Sequence, residues 1–117
     1  MTLPVPPMLM LNGDLAVVDD AKLTDYCLSA VHPRGKHKAR VFAKALGITV
    51  AEAGILKDAL LAAAREGDAE ATHRNEFGQH YRIRASVTGP GGSANVVSVW
   101  IVLHEDVVPR LVTCYVV

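Results

Sequence analysis

The stretch Gln79-His80-Tyr81-Arg82-Ile83-Arg84-Ala85-Ser86-Val87-Thr88 decides the fold. Tyr81, Ile83, Ala85 and Val87 alternate with His80, Arg82, Arg84, Ser86 and Thr88. A period of two belongs to a strand with one buried side and one open side. Gly89-Pro90-Gly91-Gly92 then reads as a turn. Residues 95–103 and 110–116 predict two further strands, with Glu105-Asp106 closing the first of them. Connections this short favour an antiparallel meander.

Upstream the spacing changes to the helical period. Asp19 or Asp20 caps a first helix running through Leu28, with Leu23, Tyr26 and Cys27 inward. His32-Pro33-Arg34-Gly35 is a loop. A second helix covers 36–46, with Ala39, Phe42, Ala43 and Leu46 on one side and Gly47 just past its end. Thr49-Val50-Ala51-Glu52 has the form of a capping box and opens a third helix to about Arg65. Leu15-Ala16-Val17-Val18 suggests a short strand, and the polar residues 66–76 read as a loop. The expected architecture is α+β, with the N-terminal helices packed on one face of a C-terminal antiparallel sheet. A single domain is expected over 1–117: an extended segment 1–14, a mainly helical part 15–76 and the sheet 77–117. Phe42, Leu46, Leu56, Leu60, Ile83, Val99 and Ile101 are the expected core. Val97, Val99, Ile101 and Leu103 then face the helices, and Val96, Ser98, Trp100, Val102 and His104 face away.

A chain of 117 residues has room for one modest core. Hydrophobic residues make up 50% and charged residues 21%, which places it among globular rather than disordered chains. Net charge is zero, so the whole surface is not built to coat nucleic acid or membrane. The charge is nonetheless uneven. Arg34, Lys36, Lys38, Arg40 and Lys44 crowd residues 32–44, and Asp14, Asp19, Asp20 and Asp25 crowd 12–25. Cys27 and Cys114 read as buried free thiols in a reducing compartment. The N-terminus lacks the basic region of a signal peptide, and no apolar run reaches the roughly 20 residues of a spanning helix. A soluble cytoplasmic protein is expected, with no membrane partner.

Several segments together resemble a small bacterial family known as a domain of unknown function. They are Lys22-Leu23-Thr24-Asp25-Tyr26, His32-Pro33-Arg34-Gly35-Lys36 with Lys38-Ala39, Phe42 and Leu46-Gly47. Tyr81, Thr88-Gly89-Pro90, Trp100-Ile101 and Pro109-Arg110-Leu111-Val112-Thr113 complete the set. The resemblance spans roughly 15–115, implies a stand-alone bacterial domain and brings no activity with it. In architecture alone the chain is similar to the endoribonuclease toxins of the barnase, RelE and colicin type, an analogy of fold rather than of motif.

The residues that carry chemistry allow two readings each. His32, in a Pro-containing loop, suits general acid–base work on an RNA 2′-hydroxyl, or else caps a helix end. Lys36 and Lys38 suit charge stabilisation at phosphorus, or else belong to a solvated helix face; Lys36 shares its helix side with Arg40, and Lys38 points elsewhere. Arg82 and Arg84 lie two apart on a strand and so point the same way. They can fork onto phosphate oxygens, or pair with neighbouring carboxylates. Trp100 stacks a base or belongs to the core. His80 is a second candidate for proton transfer, with Thr113 and Tyr115 orienting the substrate. No metal-ligand spacing, CxxC or phosphate loop is present, and no cofactor is called for. The set points to a metal-independent endoribonuclease or toxin-like RNA-binding protein, with a cognate antitoxin-like partner. The alternative is a non-catalytic interaction module that docks a partner, or a second copy, on its open sheet face or an edge strand.

Overall fold

A computed structural model describes residues 8–117. The expected extended segment 1–14 lies outside the described residues as far as residue 7, and Gly13–Leu15 within it is a 3-10 turn. Helix α1 begins as an α-turn, Asp20–Lys22, and continues as a π turn, Leu23–Cys27. Asp19 caps it, its carboxylate accepting from the Ala21 N–H at 3.0 Å. Helix α2 spans Lys36–Leu46 and stops at Gly47, whose φ of 66° is costly for any residue with a β-carbon. The Thr49–Glu52 capping box forms and leads through a 3-10 turn, Val50–Glu52, into α3, Ala53–Glu66.

The sheet has four strands, β1 (Ala69–Arg74), β2 (Gly78–Gly89), β3 (Gly92–Leu103) and β4 (Arg110–Val116), in that order and all antiparallel. Strand β1 corrects the loop expected at 66–76. Nearly all its side chains are exposed, so no apolar alternation announces it. It forms by main-chain pairing with β2, across a turn in which the Asn75 carboxamide oxygen accepts from Phe77 N and Gly78 N at 2.9 and 3.2 Å. The strand expected over 15–18 is also corrected. Only Val17 pairs, in a parallel bridge to Arg110, because the preceding residues are spent in the turn.

One apolar cluster joins Leu23 and Cys27 of α1, Phe42 and Leu46 of α2 and Leu56 and Leu60 of α3 to residues of β2, β3 and β4. Its sheet members overturn the parity expected on β3. Ser98 and Trp100 lie opposite Ile83 and Tyr81, and Cα partners in an antiparallel ladder share a side. The even-numbered Val96, Ser98 and Trp100 therefore go to the core. Val99 and Ile101, expected in the core, are only half-buried on the other side, and Leu103 is exposed. Both alternate sets of β3 are apolar, so the sequence period could not choose between them. A bulge between Val99 and Trp100 lets Leu111 and Cys114 of β4 both reach the core, although they are three residues apart.

The β2–β3 hairpin is locked onto the end of α2. Gly91 N donates to the Leu46 carbonyl at 2.9 Å, and a β-carbon on Gly89 would sit 2.2 Å from that oxygen. Among the described residues no helix is long and apolar enough to cross a membrane.

Phe42 is fully buried at the centre of the cluster. Phe42→Ala is expected to cost about 3–5 kcal/mol in denaturant unfolding. A loss under about 1 kcal/mol would place Phe42 at the periphery.

Candidate functional site

Register gathers most of the candidate residues on the side of the sheet opposite the core. Arg84, Val97 and Tyr115 form one cross-strand row, and Glu70, Arg82, Val99 and Thr113 form the next. His80, opposite Ile101, follows on the same side. Arg82, Arg84 and Tyr115 line a cleft of about 490 Å³ together with Asp68, Glu70 and Val97. Arg82 is taken: its guanidinium donates to Glu70 at 2.8 Å, so it does not fork freely with its neighbour. Arg84 has no ion pair or side-chain hydrogen bond among the described residues. The cleft therefore holds one engaged and one available guanidinium, flanked by carboxylates.

His80 is 9% exposed and its ring stacks on that of His73, centroids 4.0 Å apart and planes at 15°. Its Nδ1 is buried without a hydrogen-bond partner. Burial, and then the neighbouring His73, hold the His80 pKa below the ordinary value of about 6.5. The neutral ring is thus the resting form near pH 7. His104 takes another course, its Nε2 lying 3.0 Å from the Asn75 carbonyl at the β1–β2 turn.

His32 is a capping residue. Its Nδ1 accepts from Arg34 N and Gly35 N, both at 3.0 Å, and so orders the loop that leads into α2. Its ring meets the edge of Tyr26 at 4.8 Å between centroids. With Nδ1 committed, His32 keeps only Nε2 for chemistry. Lys36 lines a different groove, shared with Leu28, Ala39, Arg40 and Thr49, and does not join the arginine cleft. Trp100 is wholly buried, and its indole N–H donates to Ser98 Oγ at 2.9 Å, so no base can stack on it.

The sequence did not single out what surrounds Thr113. Lys38 lies about 200° round α2 from Lys36 and points to the sheet edge. Its ammonium donates to Tyr26 Oη at 3.1 Å and to Thr113 Oγ1 at 2.9 Å, and sits 4.7 Å from the centre of the Tyr26 ring. Thr113 Oγ1 also lies 3.9 Å from Cys27 Sγ. Cys27 and Cys114 are free thiols and fully buried. The Cys27 thiol is lowered to about 6, chiefly by its neighbour Cys114, with Thr113 and the Lys38 charge acting the same way and burial opposing them. Cys114 is pushed up by its neighbour Cys27 and by burial. The available signal was helical spacing, which turns Lys38 away from Lys36 and Arg40.

A family model described as "Domain of unknown function (DUF6883)" matches residues 9–117. No curated protein matches the chain.

A lowered histidine pKa has a definite sign. Between the unfolded value of about 6.5 and the lower folded value the unfolded chain binds more protons, so stability falls as pH drops through that window. Unfolding free energies measured between pH 7.5 and 5 are expected to show this decline and His80→Gln to flatten it. An unchanged slope in the variant would remove His80 from that role.

Proposed function

The chain belongs to this family of unknown function, and we propose that it acts as a bacterial, cytoplasmic, single-domain RNA-binding protein with metal-independent endoribonuclease chemistry. In this reading the helical half covers the apolar side of the sheet and leaves the Arg84 side open to RNA. The observation that carries it is the row Arg84–Val97–Tyr115, an uncommitted guanidinium beside a phenol in a cleft of about 490 Å³, with His80 on the same strand and side. Arg84 binds a phosphate, and Arg82 joins it when a phosphate displaces Glu70 from an exposed ion pair of small intrinsic worth. His80 is neutral at physiological pH and so fits the general base that takes the 2′-hydroxyl proton, with exposed His73 stacked on it as the route to solvent. Among the described residues no three His, Cys, Asp or Glu converge as metal ligands, and the proposed step needs none.

A second reading, a non-catalytic interaction module, draws on Asp68 and Glu70. They make the same cleft alternate in charge, which suits a protein partner such as an antitoxin-like protein or a second copy.

Labelled single-stranded RNA separates the two. Binding and cleavage by the full chain are expected to persist in EDTA, to weaken as salt rises, and to fall about 10-fold or more in Arg84→Ala. His80→Gln is expected to abolish cleavage while leaving binding in place. No RNA binding at low salt would overturn the reading in favour of the protein partner, and cleavage that stops in EDTA and returns with divalent ion would refute the metal-free mechanism.

A further inference from the structure

Lys38 carries a half-buried positive charge that meets no carboxylate within 4.0 Å among the described residues. Its direct partners are neutral oxygens and the faces of Tyr26 and Tyr115, with centroids 4.7 and 5.9 Å away, and the Cys27 thiol beyond Thr113 feels its charge. An ammonium is a donor only, so both hydroxyl oxygens accept from it and each keeps its own proton for another partner. Lys38 itself has three N–H groups, of which two are used. Two hydroxyl protons and one ammonium proton are therefore left around one point. Thr113 has a further contact with Cys27 Sγ at 3.9 Å, and an anionic oxygen is a far better acceptor than sulfur.

Tyr26 and Thr113 also line a pocket of about 410 Å³ with Asp19, Ala21, Lys22 and Val112, and Lys38, which is not on the lining, connects to it through their hydroxyls. That volume falls within the range of small-molecule sites. Lys22 brings a second ammonium. One Asp19 oxygen is occupied by the cap to Ala21 N, and the other remains to accept from a ligand hydroxyl. Lys22 on the lining and Lys38 behind the hydroxyls stand against one carboxylate, Asp19, and a phosphate monoester, which carries about −1.5 to −2 near pH 7, offers three terminal oxygens to the three remaining protons.

We propose that Lys38, Tyr26, Thr113 and Lys22 form a binding site for a small phosphorylated molecule of sugar-phosphate size, with Asp19 facing its hydroxyls. The site is separate from the Arg84 cleft and does not depend on the RNA reading.

The test is NMR of the ¹⁵N-labelled full chain, titrated with inorganic phosphate, ribose 5-phosphate and ribose at constant ionic strength, with chloride as the balancing anion. The expected result is saturable shifts at the amides of Lys22, Tyr26, Val112 and Thr113. Ribose 5-phosphate should bind several-fold tighter than inorganic phosphate, and ribose alone should not bind. Lys38→Met keeps the apolar stem and removes the charge, and is expected to weaken phosphate about 10-fold or more. Should that variant lose its native spectrum, Tyr26→Phe, which deletes only the hydroxyl, decides by a several-fold weakening. Shifts that do not saturate, shifts confined to Arg82, Arg84 and Val97, or unchanged affinity in the deciding variant would each overturn the site.

Discussion

The pairing of β2 with β3 is the constraint from which the rest follows. Ile83 faces Ser98 and Tyr81 faces Trp100, and that register assigns every later side chain to the core or to the open face. A slip of one residue would turn Trp100 out and bring the half-buried set Val99 and Ile101 in. Trp100 makes the observed choice expensive to reverse. It is the largest fully buried side chain, and its N–H is satisfied by Ser98, a polar residue that is itself buried on the same side. The Gly89–Gly92 turn holds the same register from the other end, because its tip fits only where glycines can approach the Leu46 carbonyl.

From this register the placement of the functional groups is a matter of parity. With Ile83 inward, Arg82 and Arg84 must be outward, and the β3–β4 ladder brings Thr113 and Tyr115 to the same side. The β2 half of this was legible in the sequence, because one alternate set is apolar and the other basic. The β4 half was legible in part: Thr113 and Tyr115 do share a side, while the bulge at Val99 sends Leu111, which a period of two places beside them, to the core. Parity on β3 was not legible. Val96, Val97, Val99, Ile101 and Val102 make both sides apolar, and what broke the tie, the register that sets Ser98 opposite Ile83 and Trp100 opposite Tyr81, lies in the pairing with β2. Strand β1 was invisible for the opposite reason, since a strand without a buried side has no period to detect.

The helices were the easier half. Their ends carry chemistry that acts within a few residues: the Asp19 cap, the Thr49–Glu52 box and the left-handed Gly47. Local signals set α2 at its full length, and they announced neither the π turn that finishes α1 nor the 3-10 turn Gly13–Leu15. That turn matters to the site, because Tyr26 and Cys27 both lie in it and both contact groups on α2 or β4. Nearness along the chain is not nearness of side chains, as helical spacing already says of the basic segment. Lys36 and Lys38 are two apart in the basic segment, yet the helix sends one to a groove beside Arg40 and the other to the sheet edge. His32, beside them in sequence, spends its Nδ1 on the backbone that starts the helix.

The edge strand β4 links the two candidate sites. Thr113 receives the Lys38 ammonium, and Tyr115 two residues on lies both within 5.9 Å of that ammonium and in the cleft with Arg84. An anion at Lys38 competes for the charge that the Tyr115 ring now partly screens, and an anion at Arg84 alters the other side of the same ring. Coupling through one shared aromatic of this kind is electrostatic and short in range, so it requires no change of fold. Were both proposed sites to take anions, the sign would follow from charge alone: the two would repel, and occupation of one would weaken the other. By reciprocity the weakening is equal in both directions, and it fades as salt rises.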